Sequence, residues 1–321
     1  DEHWCDESTC EFIGHCIALY TDDAYLDGPA LSLVENLRLY ATSLLTYQDS
    51  SSPFLYPEYG LGGMPEAFAR LCSIHGGDFM LARDVSELVF EQAGERVGKG
   101  GSGGGDLGGG RVCAVKSWNA EKQCMEAATI RTVIGDPSYF ADARWRVQQG
   151  RVIRCICLLS GPVPGLEKQK NARGEKIESA QIIIPKSQCE PKRMHDIYVS
   201  VVGHAMQCTP EGVYCATIST MMESSAPDGG AAATIEAAAL SELEAALRVV
   251  GGTDNILRKF VEITPFYIPA RNDGEKTGVF VSRSCDATTH FESTTRDILD
   301  LYRKVTGRSL DLSEENAAAK G

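Results

Sequence analysis

The chain has 321 residues, enough for one large or two ordinary domains around a substantial core. With 43% hydrophobic and 23% charged residues it has the balance of a soluble globular protein. A formal net charge of −13 argues against nucleic acid or an anionic membrane surface as a direct partner, because binding by counterion release needs basic clusters.

The chain opens on the polar "DEHWCDEST", without Met and without a signal-peptide pattern, and reads as a fragment rather than a natural start. The first part reads helical. After the apolar "CEFIGHCIALY" comes "DGPALSLVENLRLYATSLLTY", an amphipathic helix that Asp27 can cap and Pro29 can open. Its stripe is Leu31, Val34, Leu37, Ala41, Leu44 and Leu45, and the polar "QDSSSP" ends it. Beyond Tyr59 the pattern is mixed. Strands are expected at Phe79–Leu81, Ser86–Phe90, Arg111–Ser117, Val152–Leu159, Ser179–Ile184, Ile197–Val202, Tyr214–Thr220 and Val279–Ser282. Helices are expected at Pro65–His75, Ala231–Val249 and Thr295–Thr306. Many strands with few intervening helices predict an α+β fold around a mixed β-sheet.

Two segments read as insertions. "GERVGKGGSGGGDLGGG" contains a literal G-x-G-x-x-G at Gly98, Gly100 and Gly103, but a dinucleotide fingerprint needs a strand before it and a helix after it. Here the motif lies in a glycine tract between two expected strands and reads as a flexible hairpin loop. The second insertion is the charged "VPGLEKQKNARGEKIES".

Chemistry-bearing patterns are sparse. The 12 cysteines form no C-x-x-C pair and do not combine with histidines at zinc-ligand spacing, so no metal site is expected. Cys155 and Cys157 share one face of an apolar strand and read as core thiols in a reducing cytosol. The six histidines are scattered, and no nucleophile stands beside an evident base. No apolar run approaches the roughly 18 residues that span a membrane. The residues by themselves indicate a binding protein and no catalytic residue.

Several blocks carry a more specific signal. "YPEYGLGGMPEAFARLCSIHGGDFML" (Tyr56–Leu81) resembles the central block of the Rab GDP dissociation inhibitor (GDI) family, which also includes the Rab escort proteins. "GHCIALYTDDAYLD", "SPFLYP", "DPSYF", "QIIIP", "DIYV" and "DATTHFEST" are similar to further family motifs and occur in the family's order, from Glu11 to about Leu312. The resemblance implies an FAD/NAD(P)-binding-like, flavoprotein-monooxygenase-like fold that here lacks the family's N-terminal dinucleotide-type unit. It implies a partial helical domain over 1–58, on the prenyl-pocket side, and a sheet domain over 59–321.

The resemblance also implies function and sites. The expected activity is that of a non-enzymatic inhibitor binding GDP-bound, geranylgeranylated Rab GTPases, slowing GDP release and recycling Rabs between membranes. Such a protein is expected to be a cytoplasmic monomer without cofactor, in transient membrane contact. Gly63, Arg70, Asp78 and Met80 fall on the Rab-binding platform, with Gly63 where the family usually has glutamate and Asp78 where it usually has threonine. The effector loop matches Tyr47, Gln48, Asp49, Ser50, Ser51 and Ser52, and Leu37, Ala41 and Leu44 fall on the prenyl-pocket side. Phe68 and Leu71 are expected in the core, and Glu66 and Arg70, four residues apart, can pair along one helix face. The alternatives are a Rab escort protein, or a flavin-dependent oxidoreductase, which would be yellow.

The glycine tract has no apolar surface to offset the entropy of ordering it. Replacing Gly98–Gly110 by an Asn-Gly turn is therefore expected to change the free energy of unfolding, measured by urea denaturation, by less than about 2 kcal/mol.

Overall fold

The computed structural model describes residues 6–46, 52–91, 110–170, 174, 176–224, 232–271 and 273–311. In chain order the helices are α1 (Glu7–Glu11), α2 (Ala30–Thr46), α3 (Gly63–Ile74), α4 (Ala232–Glu242), α5 (Glu244–Val249), α6 (Gly252–Asn255), α7 (Gly274–Thr277) and α8 (Glu292–Thr306). The strands are β1 (Asp84–Phe90), β2 (Val112–Asn119), β3 (Cys124–Thr129), β4 (Val133–Gly135), β5 (Arg146–Leu159), β6 (Ala180–Ile184), β7 (Ile197–Val202), β8 (Tyr214–Met221), β9 (Ile256–Pro269) and β10 (Val279–Val281). By internal contacts the chain divides into two units, one of residues 1–75, 150–265 and 286–292, the other of residues 76–149, 266–285 and 293–321.

The first unit is built on a five-stranded sheet of order β6-β7-β8-β5-β9. β6, β7 and β8 form an antiparallel meander, and β5 pairs antiparallel with β8, from Val152 opposite Met221 to Leu159 opposite Tyr214. Alternate residues of a strand share a face, so Ile153, Cys155, Cys157 and Leu159 of β5 join Ile197, Val199 and Val201 of β7 and Ala216 and Ile218 of β8 in one core layer. Ala239, Leu243, Ala246 and Val250, at helical spacing in and around α4 and α5, pack on that layer. Cys155 and Cys157 are buried free thiols with their Sγ atoms 3.6 Å apart.

The segment after β8 is closed by a buried charge cluster. Arg193, 7% exposed at its side chain, donates to Glu242 at 2.9 Å and lies 3.3 Å from Glu223. Glu242 also accepts the backbone N–H groups of Glu223 and Ser224. Burial opposes the Glu242 charge, but these donors together hold its pKa below the ordinary value.

The second unit contains the antiparallel sheet β1-β2-β3 and the parallel pair β4–β10. Its core is Val112, Phe140, Trp145, Val279 and Val281, with Leu88, Phe90, Ile130 and Val133 against it. Gly98–Gly109 of the glycine tract lie outside the described residues, as do Tyr47–Ser51.

Several expectations change. Phe79–Leu81 is not a strand: these residues are exposed and lead into β1 without a partner strand among the described residues. β3, β4 and β9 carry no expected counterpart: in β3 and β9 charges or alanines interrupt the apolar residues, and β4 is only three residues long. Asp27 ends a short 3-10 turn, Asp23–Asp27, instead of capping α2, and Pro29 directly precedes the helix.

Leu243 is fully buried where the helices meet the sheet. Leu243→Ala is expected to cost about 2–5 kcal/mol of stability, measured by urea denaturation, through lost contacts and the cavity left behind.

Candidate functional site

Three of the sequence blocks meet at one polar hub in the first unit. Residues Phe12–Ile17 form a π-helical turn, a geometry that widens the helix and often marks a functional position. The turn carries His15, which is 1% exposed. Its Nδ1 lies 2.6 Å from Oδ2 of Asp196 and its Nε2 lies 3.1 Å from Oδ1 of Asp23. Asp196 stands just before β7 and is itself buried; its Oδ1 accepts the Lys186 N–H at 2.8 Å. Lys186 Nζ pairs with Asp23. Beside this, Glu11 accepts the Ser187 hydroxyl and, at 3.3 Å, the Ser187 N–H.

Electrostatics follow from that arrangement. Burial opposes the charged form of His15, but the hydrogen bond and charge of Asp196, with Asp23 beyond, outweigh it and hold the pKa above its ordinary 6.5. The Lys186 hydrogen bond, assisted by His15, keeps the Asp23 carboxyl below its usual range. Burial and the nearby Asp196 and Glu11 charges push the Cys16 thiol up to about 11, so it is a neutral thiol at physiological pH. Both His15 ring nitrogens face carboxylates rather than an open space or a hydroxyl, and Ser187 is turned to Glu11 rather than to a histidine. The hub holds structure and does not supply a nucleophile. Among the described residues no group of three or more His, Cys, Asp or Glu side chains is placed to hold a metal ion.

The second feature is an outward apolar face on α3. Pro65 and Glu66 suit its first turn, by fixed φ and by interaction with the helix dipole, and Gly76, with φ +86°, follows its C-cap His75 in the left-handed conformation that favours glycine. The lead-in is tied to the turn after β7, where the Tyr59 N–H donates to the Met206 carbonyl at 2.9 Å. Met64, Phe68, Leu71 and Ile74 all face solvent, Phe68 at 65% and Leu71 at 51% exposure. The expectation that Phe68 and Leu71 are core residues is therefore corrected: α3 is amphipathic, but no residue of it is buried. Scattered exposed apolar residues are ordinary, whereas a contiguous row of them on one helix marks an interaction surface.

These blocks carry a family signature along nearly the whole chain: the model for "GDI: GDP dissociation inhibitor" matches residues 2–317. The chain belongs to the GDP dissociation inhibitor family. It is 36% identical over 306 residues to "Probable secretory pathway GDP dissociation inhibitor 1" of Schizosaccharomyces pombe, covering 95% of this chain and 58% of that protein. It is 36% identical over 308 residues to "Rab GDP dissociation inhibitor beta" of Rattus norvegicus, covering 96% of this chain and 57% of that protein. Among solved structures, the Rab GDI of Plasmodium falciparum matches with a TM-score of 0.76 and 34% identity, over 96% of this chain and 59% of that one. The chain thus spans under three-fifths of the length of these GDI relatives.

The residues singled out from the GDI motifs fall as follows. Gly63 and Arg70 are exposed on α3, and Arg70 makes no ion pair among the described residues; the Glu66–Arg70 pair is not formed. Asp78 and Met80, in the second unit, are exposed in the coil before β1. On α2, Leu37 and Leu44 are half-buried and Ala41 is exposed, while Leu31, Val34 and Leu45 face solvent. α2 is held through Asn36 Nδ2, which donates to the Ala18 carbonyl at 3.1 Å, and through Tyr40, which meets Phe54 edge-on. Of the effector-loop residues only Ser52 is described, its hydroxyl accepting the Phe54 N–H at 3.2 Å. His15, Asp23, Lys186 and Asp196 were not singled out from sequence as a set. Their signal was that they lie inside or directly beside three quoted motifs.

Gly14, in the same π turn, leaves room for Tyr25: a Cβ there would lie 2.1 Å from the Tyr25 Oη. Tyr25 stacks on Tyr20 with ring centroids 4.6 Å apart. Gly14→Ala is expected to displace that ring and lower stability by about 1–3 kcal/mol, measured by urea denaturation.

Proposed function

We propose that this chain carries the partner-binding part of a Rab GDP dissociation inhibitor, which holds GDP-bound, geranylgeranylated Rab GTPases, slows GDP release and recycles Rabs between membranes. The observation that carries the reading is the solvent-facing apolar row Met64, Phe68, Leu71 and Ile74 on a helix anchored by its lead-in. The relatives' names supply the partner class. Arg70 on α3, and Asp78 and Met80 in the second unit, add polar and apolar contacts. Gly63 and Asp78, which replace the family's usual glutamate and threonine, shift the charge those contacts meet.

The physical logic of such a carrier has two parts. A geranylgeranyl chain costs on the order of 10 kcal/mol to bring into water, at about 0.8 kcal/mol per CH₂. A soluble carrier must therefore cover it, and Leu37, Ala41 and Leu44 of α2 are the residues assigned to that side. The second part is linkage. A partner that prefers the switch regions of the GDP form stabilises bound GDP reciprocally, so dissociation slows without catalysis.

In this reading residues 1–58 belong to the helical, prenyl-covering domain and 59–321 to the sheet domain. Tyr47–Ser52 is the effector loop that touches membranes, and the protein works from the cytoplasm without a cofactor. The relatives are named as inhibitors, which favours this reading over an escort protein. No helix among the described residues is long and apolar enough to cross a membrane.

The test is binding of prenylated Rab loaded with GDP or with a GTP analogue, by titration calorimetry. Preference for the GDP form is expected; equal affinity for both would remove the inhibitor reading. Arg70→Ala is expected to weaken GDP-Rab binding at least about tenfold, or roughly 1.4 kcal/mol. Its melting temperature should stay near that of the parent, because the side chain is exposed and makes no ion pair among the described residues. Phe68→Ala is expected to behave the same way. A matched loss of stability would instead make either residue structural.

A further inference from the structure

The hub around His15 lies where the two partner-binding helices of the proposed function are tied to the sheet. On one side, the π turn that carries His15 continues to Ala18, whose carbonyl accepts Asn36 of α2. On the other, Asp196 leads into β7, where Tyr198 meets His290 edge-on at 6.0 Å. His290 stacks on Phe54 at 6.3 Å, and Phe54 meets Tyr40 of α2 at 6.3 Å. Phe54 belongs to the lead-in to α3. Both routes out of the hub therefore end on α2, one passing through the segment that carries α3, and Asp23 itself opens the 3-10 turn that leads into α2.

We propose that His15 is a positioning residue: as an imidazolium clamped between Asp196 and Asp23, it fixes α2 and the lead-in to α3 on the sheet, and it does so only while both ring nitrogens carry protons. This rests on the reading that α2 and α3 present the partner-binding faces.

The chemistry is set by the two carboxylates. A neutral imidazole has one N–H and one lone pair. Asp196 is buried and 2.6 Å away, so the remaining proton stays on Nδ1. The lone pair of Nε2 then faces the Asp23 oxygen at 3.1 Å, acceptor against acceptor. Asp23, half exposed, has water and Lys186 as alternatives and swings away. Asp196, from the β7 side, and Asp23 and Tyr25, from the 3-10 turn, face His15; around them lie Lys186 against Asp23, Glu11 and Cys16 near Asp196, and Tyr198 beside Asp196.

The sign follows. His15 titrates above its ordinary 6.5 in the folded chain, so its contribution is complete below the unfolded value and is lost as pH rises through the folded one. The clamp is closed below the ordinary 6.5 and opens as pH rises through the higher folded value.

The experiment uses the chain alone, so that its failure is separable from failure of the Rab reading. Imidazole ¹⁵N NMR follows the two His15 nitrogens while hydrogen exchange reports protection of the α2 amides, corrected for intrinsic rates, between about pH 6 and about pH 10. The expected result is His15 doubly protonated beyond its ordinary range, with α2 protection falling at least about fivefold across the same pH interval in which Nε2 loses its proton. Asp23→Asn is the discriminating variant. Its side-chain amide can turn to offer either an oxygen or an N–H, so it accommodates both protonation states and the step should vanish with the fold retained. His15→Gln should show low, pH-independent α2 protection. An α2 profile with no step, or a step that persists in Asp23→Asn, would overturn the proposal. Binding of GDP-loaded Rab, measured on both sides of the interval, should weaken on the alkaline side in the parent and stay level in Asp23→Asn; no such difference would end the link to partner binding.

Discussion

A carboxylate buried at the start of a central strand is the constraint around which the first unit is organised. Asp196 cannot remain charged in that position unless cationic or N–H donors surround it. The Lys186 backbone and the His15 ring meet this need, and both come from other parts of the chain. Meeting it pulls the π turn, the 3-10 turn of Asp23 and the connection after β6 to one point. The helical segment is thereby fixed to the sheet by hydrogen bonds of defined direction, beside the ring contacts of Tyr40, Phe54, His290 and Tyr198. Breaking one partner of such a set is costly because the other is left charged and dry, so the cluster gives a defined position more than it gives net stability.

That division of labour explains why α2 and α3 can leave so much apolar surface in water. An isolated helix of 12 or 17 residues is marginal unless it packs. Here the anchors lie at particular points: Asn36 and Tyr40 on α2, and Tyr59 in the lead-in to α3. With position secured there, the faces bearing Leu31 and Val34, or Phe68 and Leu71, need no internal partner and remain open to an external one.

Much of the architecture could be read from residue patterns, and the exceptions share a physical cause. β5, β7 and β8 were visible because a fully buried strand has few polar interruptions. β9 was not, since an edge strand carrying Arg258, Lys259 and Glu262 breaks the alternation. Phe79–Leu81 shows the converse error: a short apolar run states a preference for burial and does not guarantee a partner. Phe68 and Leu71 show the same limit on a helix, where periodicity identifies an apolar face without saying whether it meets the core or solvent. The His15 hub was beyond local reading altogether, because His15 and Asp196 are 181 positions apart. Only their membership in motif blocks hinted that they matter.

The order of strands in the five-stranded sheet bears on how the chain acquires its shape. β5 is made before β6, β7 and β8, yet its antiparallel partner is β8, the last of the three. During synthesis Ile153, Cys155 and Cys157 emerge long before the strand that will cover their backbone edge. The meander β6-β7-β8 can close locally, one hairpin after another, while β5 must wait for Met221 and pay the entropy of a loop that encloses the whole meander. Until then an apolar strand with an unpaired edge is exposed, the kind of segment that a chaperone acting during translation would cover.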